Sequence, residues 1–261
     1  LKDIDWNCEI KKKYNKVNLG CRTSVSSALN WFFENEENGI ILEDDCIPSN
    51  SFFNFCEQML KRYKNSQNIY SISGSNFQNN KKIGDGDYYF SKYAHCWGWA
   101  TWRRTWEKYD KNIKFWKRYK SSKSWNNYFS YNIEKRYWEK IFNNVYNKQL
   151  DSWAYPWMLS IWKNNQLIIT PKKNLVLNVG FSRDATHTNS RFHDFQYKTF
   201  KIKKPYYAPK KIEVNKIADN YVFKNHYKGI NYLWPYRMKY LIKFSFIDPI
   251  SFFKKTYKLF Q

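Results

Sequence analysis

One short run constrains this chain more than any other feature. Gly39-Ile-Ile-Leu42 has no polar break and ends in three consecutive acids, Glu43-Asp44-Asp45. Four apolar residues are too few for a helix but suit a central strand covered on both faces. The flanks point the same way. Before the run, Val25, Ala28, Leu29, Phe32 and Phe33 recur at helical spacing. After it, Phe52, Phe55, Cys56, Met59, Leu60 and Tyr63 do the same. Ile69-Tyr-Ser-Ile-Ser73 then alternates as a strand up to Gly74. Helix, buried strand, helix, strand is the signature of an α/β sheet with short connections.

Other elements are legible with less force. Residues 8–14 alternate weakly and read as a short strand. Tyr88–Phe90 reads as another, and a dense aromatic block follows at Trp97-Gly98-Trp99-Ala100-Thr101-Trp102. Helices are expected over Ile133–Asn147 and from near Asp151 through Trp153, Trp157 and Trp162. Two short strands, Leu167–Thr170 and Leu175–Leu177, complete the pattern. Beyond about residue 195 it weakens into alternating Lys-rich and Tyr-rich segments. The chain therefore divides into an α/β domain over 1–195 and a basic, aromatic-rich extension over 196–261. It begins at Leu1, in what reads as the end of a loop before a strand, so upstream elements are expected to be missing.

Composition narrows the partners. The net charge is +23 and aromatic residues make up 21%. Part of this looks like A+T-rich coding bias, yet the charge is uneven: lysines crowd the region after Lys198, while most acids precede Asp151. A field of this sign favours nucleic acid, an anionic membrane surface or phosphorylated substrates. Five scattered cysteines, with no C-x-x-C pair, make a poor disulfide framework and a poor zinc site, which favours a reducing cytosol. No stretch of 18 apolar residues is present to span a membrane. The Lys-with-aromatic tail, best at Tyr240-Leu-Ile-Lys-Phe-Ser-Phe-Ile247, suits contact with the inner face of an anionic membrane. A helical extension packed on the domain is the alternative.

In open α/β sheets, ligands bind at the carboxyl ends of the strands. Three carboxylates there repel one another unless a cation or hydrogen-bond donors intervene. Such oxygen ligands suit Mg²⁺ or Mn²⁺, which in turn hold a diphosphate. Two other readings of the triplet remain open: Asp45 as a helix cap beside solvated neighbours, or the acidic end of a Walker B strand.

Four motifs in order, Asn18-Leu-Gly-Cys-Arg22, Gly39–Asp45, Ser71-Ile-Ser-Gly-Ser-Asn76 and Trp97–Trp102, closely resemble a bacterial family of GT-A glycosyltransferases. They are also similar to the animal enzymes that add N-acetylglucosamine to the mannose core of N-glycans. The resemblance covers roughly residues 5–190. It implies a Rossmann-like mixed sheet flanked by helices, and transfer of a sugar, by inversion, from a nucleotide-diphosphate sugar to a saccharide or lipid-linked acceptor. A UDP-sugar is the expected donor, and a bacterial surface glycan the expected product.

Carried over residue by residue, Asp45 would bind the metal, and Glu43 and Asp44 would face the donor ribose and phosphates. Arg22 would line the donor pocket. Asp151, in Asp-Ser-Trp-Ala-Tyr-Pro-Trp157, would be the catalytic base; its alternative is a helix N-cap. Ser152 stands where the animal enzymes have a second acid. Trp97 and Trp99 would stack on acceptor sugars, with core packing as the alternative. In the loop Asn178–Thr188, His187 would be a second metal ligand or bind a phosphate, and Arg183 and Asp184 are weaker candidates.

Two other classes compete. A nucleic-acid-binding protein would account for the charge and the aromatics but shows no recognisable motif. A P-loop ATPase would use Gly39–Asp45 as its Walker B strand, yet no G-x-x-x-x-G-K-[ST] occurs in the sequence.

Overall fold

Amphipathic periodicity sets the first elements. The computed structural model describes residues 4–79, 81, 83–180 and 198–232, with Arg237, Met238, Ile242, Ser245 and Phe246. Helix α1 (Gly20–Asn35) buries Arg22, Ser26, Leu29 and Phe33, one face at helical spacing. Strand β1 (Asn38–Ile41) and strand β2 (Cys46–Pro48) flank the acidic triplet. Helix α2 (Asn50–Arg62) buries Phe52, Phe55, Cys56, Met59 and Leu60, as its periodicity predicts. Strand β3 (Ile69–Ser73) is buried along its whole length. Strands β4 (Tyr88–Ser91) and β5 (Trp99–Trp102) follow.

Three short helices then wind past the sheet: α3 (Arg103–Trp106), α4 (Trp116–Lys120) and α5 (Lys123–Asn127). Longer ones, α6 (Asn132–Tyr146) and α7 (Ala154–Lys163), match the two predicted from periodicity. Strands β6 (Leu167–Pro171) and β7 (Val176–Asn178) lead to the segment before helix α8 (Lys216–Asn225).

The main sheet has the order β1-β5-β3-β6-β4. Strand β5 runs antiparallel to both β1 and β3, β6 runs parallel to β3, and β4 is antiparallel to β6. A separate antiparallel ribbon pairs β2 with β7. The fold is therefore mixed α/β, with a mixed sheet flanked by helices, as expected. Side chains alternate between two cores. Tyr70, Trp99 and Ile168 join one cluster; their neighbours Ile69, Ala100 and Ile169 join the other.

Three expectations change. Strand β1 is not central: it lies at the edge of the sheet among the described residues, with Gly39, Ile40 and Ile41 only half-buried. An apolar run specifies a strand but not its rank in the sheet, because β5 comes from some 60 residues downstream. Residues 8–14 form no strand. They are exposed coil, tied to α1 where Lys13 Nζ donates to Ser27 Oγ at 2.9 Å, and a strand without a paired neighbour has no stability of its own. Finally, the break at residue 195 separates no core. Ile202 and Tyr206 join the α2 side, while Val222 and Phe223 join the α6–α7 side.

The tryptophans are structural to an unexpected degree. Trp99, Trp106, Trp116, Trp125, Trp138, Trp153, Trp157 and Trp162 all belong to one buried cluster. Most of the indoles in it spend their polar atom locally: Trp162 Nε1 donates to the Lys92 carbonyl at 2.6 Å and Trp116 Nε1 to Asn143 at 2.9 Å.

A buried ionic network ties the late segment in. Lys92 Nζ lies 2.7 Å from Glu134 Oε1, which also accepts from the Tyr93 hydroxyl. Asp219 of α8 accepts from Ser91 Oγ at 2.6 Å and from the Lys92 backbone at 3.0 Å. Charges from β4, α6 and α8 thus satisfy one another away from water.

Candidate active site at the tip of β1

The acidic triplet leaves β1 in a tight turn, closed by Cys46 N–H donating to the Glu43 carbonyl at 3.1 Å. Asp44 sits exposed at the crown, and Glu43 and Asp45 are half-buried beside it. The β2–β7 ribbon fixes Asp45: its carbonyl accepts from Val179 N at 2.8 Å. Gly180 then passes close against the Asp45 carboxylate, where a Cβ would collide with Asp45 Oδ2. Among the described residues, no basic side chain pairs with any of the three acids.

Two distant segments close on this turn. Trp153, just before α7, donates from Nε1 to Glu43 Oε1 at 3.2 Å. Asp151, two residues earlier, accepts from Cys21 N at 2.9 Å through Oδ2. Gly20, with φ of +74°, makes that approach feasible, since a Cβ there would lie 2.7 Å from Asp151 Oδ2. Asp151 therefore holds the first turn of α1, not of α7, whose N-cap Trp153 receives no side-chain bond. The alternative role as N-cap of the following helix is thus not the one observed. The Asp151 side chain remains 53% exposed.

Electrostatics mark the same place. Burial, with Asp45 beside it, pushes the Glu43 carboxyl above the usual range; the Trp153 bond pulls it back, and Asp44 adds a further upward push. Three thiols far apart in the sequence feel these charges. Cys21 is raised by burial, then by Glu43, and less so by Asp151. Cys46 is pushed up to about 12, chiefly by burial. Cys96 is raised by burial and then by Glu43. Their gathering around Glu43 is invisible in spacing, because they come from α1, β2 and the loop before β5.

Other predicted residues fare differently. Arg22 is buried, with Nη2 donating to the Leu150 carbonyl at 2.5 Å and Nε lying 3.5 Å from Asp151 Oδ1. Its guanidinium braces the chain leading to Asp151. For Trp99 the core-packing alternative is the one observed. It is 1% exposed and packs between Trp153, Trp157 and Trp106, so no acceptor can stack on it.

Trp97 keeps a half-exposed position, edge-on to Phe77 at 5.2 Å and to His226 at 6.1 Å. His226, to which the sequence assigned nothing, stacks on Phe77 at 3.7 Å. It reaches this rim because α8 packs on the domain. The signal for α8 was present in Asn215, which caps it by accepting from Ala218 N at 3.0 Å, and in Ala218 and Val222 four residues apart. Lysine and tyrosine bias masked it. His187, Arg183 and Asp184 lie outside the described residues.

Among the described residues, no group of three or more His, Cys, Asp or Glu side chains forms a ready metal cage. A groove of about 620 Å³ at the opposite sheet edge, between Asp85, Phe90 and Lys210–Ile217, contains none of the predicted site residues. In comparison with known proteins, the chain matches no family model and no curated sequence.

Proposed function

We propose that this protein is a metal-dependent glycosyltransferase of the GT-A type, using a nucleotide-diphosphate sugar at the Glu43-Asp44-Asp45 turn. The observation that carries the reading is the meeting of two distant acidic segments: Trp153, two residues after Asp151, bonds Glu43, and the Cys21 thiol feels both acids. Glu43, Asp44 and Asp45 stand at a strand's carboxyl end with no cationic partner among the described residues, and Asp151 is held by Cys21 N in the segment whose Trp153 bonds Glu43. Uncompensated acids at such a point favour a cation.

The donor set fits Mg²⁺ or Mn²⁺ held jointly with a substrate. Such ions keep few protein ligands and take the rest from phosphate oxygens and water, so a single fixed carboxylate such as Asp45 can suffice without a protein cage. When bound, the ion would neutralise the donor diphosphate as it departs. The residues do the remainder. Asp44 and Glu43 face the ribose and phosphates. Asp151, with one oxygen fixed by Cys21 N and the side chain half open, takes the proton from the acceptor hydroxyl. That hydroxyl oxygen attacks the anomeric carbon in line as the bond to the diphosphate breaks, inverting the centre. Trp97 offers an indole face to the acceptor at the rim. The acceptor class is a saccharide or lipid-linked saccharide.

The test is a panel of nucleotide sugars, UDP-sugars first, with Mn²⁺ or Mg²⁺, reading released nucleotide diphosphate. Activity that vanishes with chelator and in Asp45→Asn supports the assignment. Calorimetry of Mn²⁺ with UDP should lose its signal in the same variant. Undiminished turnover by Asp45→Asn would refute the role of the turn.

A further inference from the structure

We infer that the segment carrying Met238, Ile242 and Phe246 lies flat on a bilayer rich in anionic phospholipid and holds the protein there. Arg237, Met238, Ile242, Ser245 and Phe246 have helical backbone, and Ser245 Oγ donates back to the Ile242 carbonyl at 2.7 Å. The three apolar residues recur at i, i+4 and i+8, so they share one side of a helical backbone. All three are exposed, at 43%, 54% and 83%.

Other large apolar side chains are exposed as well, among them Trp6, Tyr14 and Ile217; what sets these three apart is that they recur at one helical spacing within a basic stretch. A bare apolar row at helical spacing therefore marks a surface with a partner.

Charge identifies that partner. From Lys198 to Gln261 the sequence has fifteen Lys and Arg against three acids, Glu213, Asp219 and Asp248. Asp219 is internal, so it offsets nothing outside. Lys239 and Lys243 adjoin Met238 and Ile242 in the sequence. A second copy of the chain could cover the apolar row, but it would bring the same positive charge against it. Anionic headgroups satisfy both demands: the apolar row sinks to the acyl boundary while the lysines meet phosphate. Among the described residues no helix is long and apolar enough to cross a membrane.

The inference is independent of the chemistry at Glu43, and its test needs no turnover. The full chain is sedimented with vesicles of phosphatidylglycerol and phosphatidylcholine in equal parts, and with phosphatidylcholine alone. Binding to the anionic vesicles, weakened by salt and nearly absent on the neutral ones, is expected. The triple variant Met238→Ser, Ile242→Ser, Phe246→Ser should bind the anionic vesicles about tenfold or more weakly. Near-ultraviolet circular dichroism of the buried tryptophans checks that it stays folded. Equal binding by the variant would overturn the proposal, as would no binding by the native chain. So would a lipid-free dimer in sedimentation velocity that the triple variant abolishes, since a second copy would then be the occupant.

Discussion

The β1 turn and the Lys92 network use the same kinds of residue in opposite ways. At the turn, Glu43 and Asp45 are half-buried beside the exposed Asp44, and the three crowd one another with no cationic partner among the described residues. Around Lys92, two carboxylates and an ammonium are enclosed, and each is answered by a hydrogen bond or an opposite charge. Satisfied buried charge holds architecture together, here β4, α6 and α8. Unsatisfied charge at an opening stores a preference for something not yet bound. The distinction lies in the partners and not in the residue types.

The sharpest way to break this comparison is to neutralise one member of each set. Asp45→Asn should lower transfer about a thousandfold or more while leaving the melting temperature nearly unchanged. Lys92→Met should do the reverse, costing about 3–5 kcal/mol of stability because Glu134 would be left buried and unpaired. Parallel activity assays and denaturant titrations read both. If Asp45→Asn unfolds the protein, or Lys92→Met leaves it as stable as before, the contrast fails.

Arg22 sits between the two regimes: internal, yet touching the site. Arg22→Met should cost about 2–3 kcal/mol through the abandoned carbonyls of Leu150 and Val145. It should also lower turnover with little change in donor KM, since its contacts brace Asp151. A rise in donor KM alone would place Arg22 in the pocket.

A smaller effect is expected at Glu43, whose carboxyl is raised by burial and its acidic neighbours. Glu43→Gln keeps an oxygen for Trp153 and removes the repulsion. It should stabilise the unliganded protein by about 0.5–1 kcal/mol at neutral pH while weakening metal-dependent turnover. Thermal unfolding with and without Mn²⁺ and UDP checks this.

The smallest net effect in the native chain concerns pH, because two slopes oppose one another. Burial lowers His95 to about 3, so between that value and about 6.5 the unfolded chain binds a proton that the folded chain refuses. Stability from this group is complete above 6.5 and falls on acidification. Asp219, raised to about 6 chiefly by burial, acts in the other direction. Between its ordinary value of 3.8 and about 6 the folded chain keeps a proton that the unfolded one has released, so stability falls as pH rises through that window. The two slopes, each at most about 1.4 kcal/mol per pH unit, oppose one another near pH 4–6. Asp219→Asn should unmask the rise of stability with pH over that range, and His95→Leu should unmask the fall. Urea midpoints at several pH values would show neither slope if the groups titrate normally.

Much of the molecule was legible from local pattern. The spacing of Phe52 to Tyr63 specified α2, the alternation of Ile69–Ser73 specified β3, and the run ending at Leu42 put three acids at a strand tip. These follow from helix and strand periods, which neighbouring residues carry by themselves. Tertiary structure alone decided what each surface meets. It placed β1 at an edge, sealed Trp99 while leaving Trp97 at the rim two residues away, and turned Arg22 inward. It also left residues 8–14 unpaired, brought Cys21, Cys46 and Cys96 around Glu43, and drew α8 onto Lys92. Each of these outcomes rests on contacts between residues tens of positions apart, and no local period encodes which distant partner will arrive.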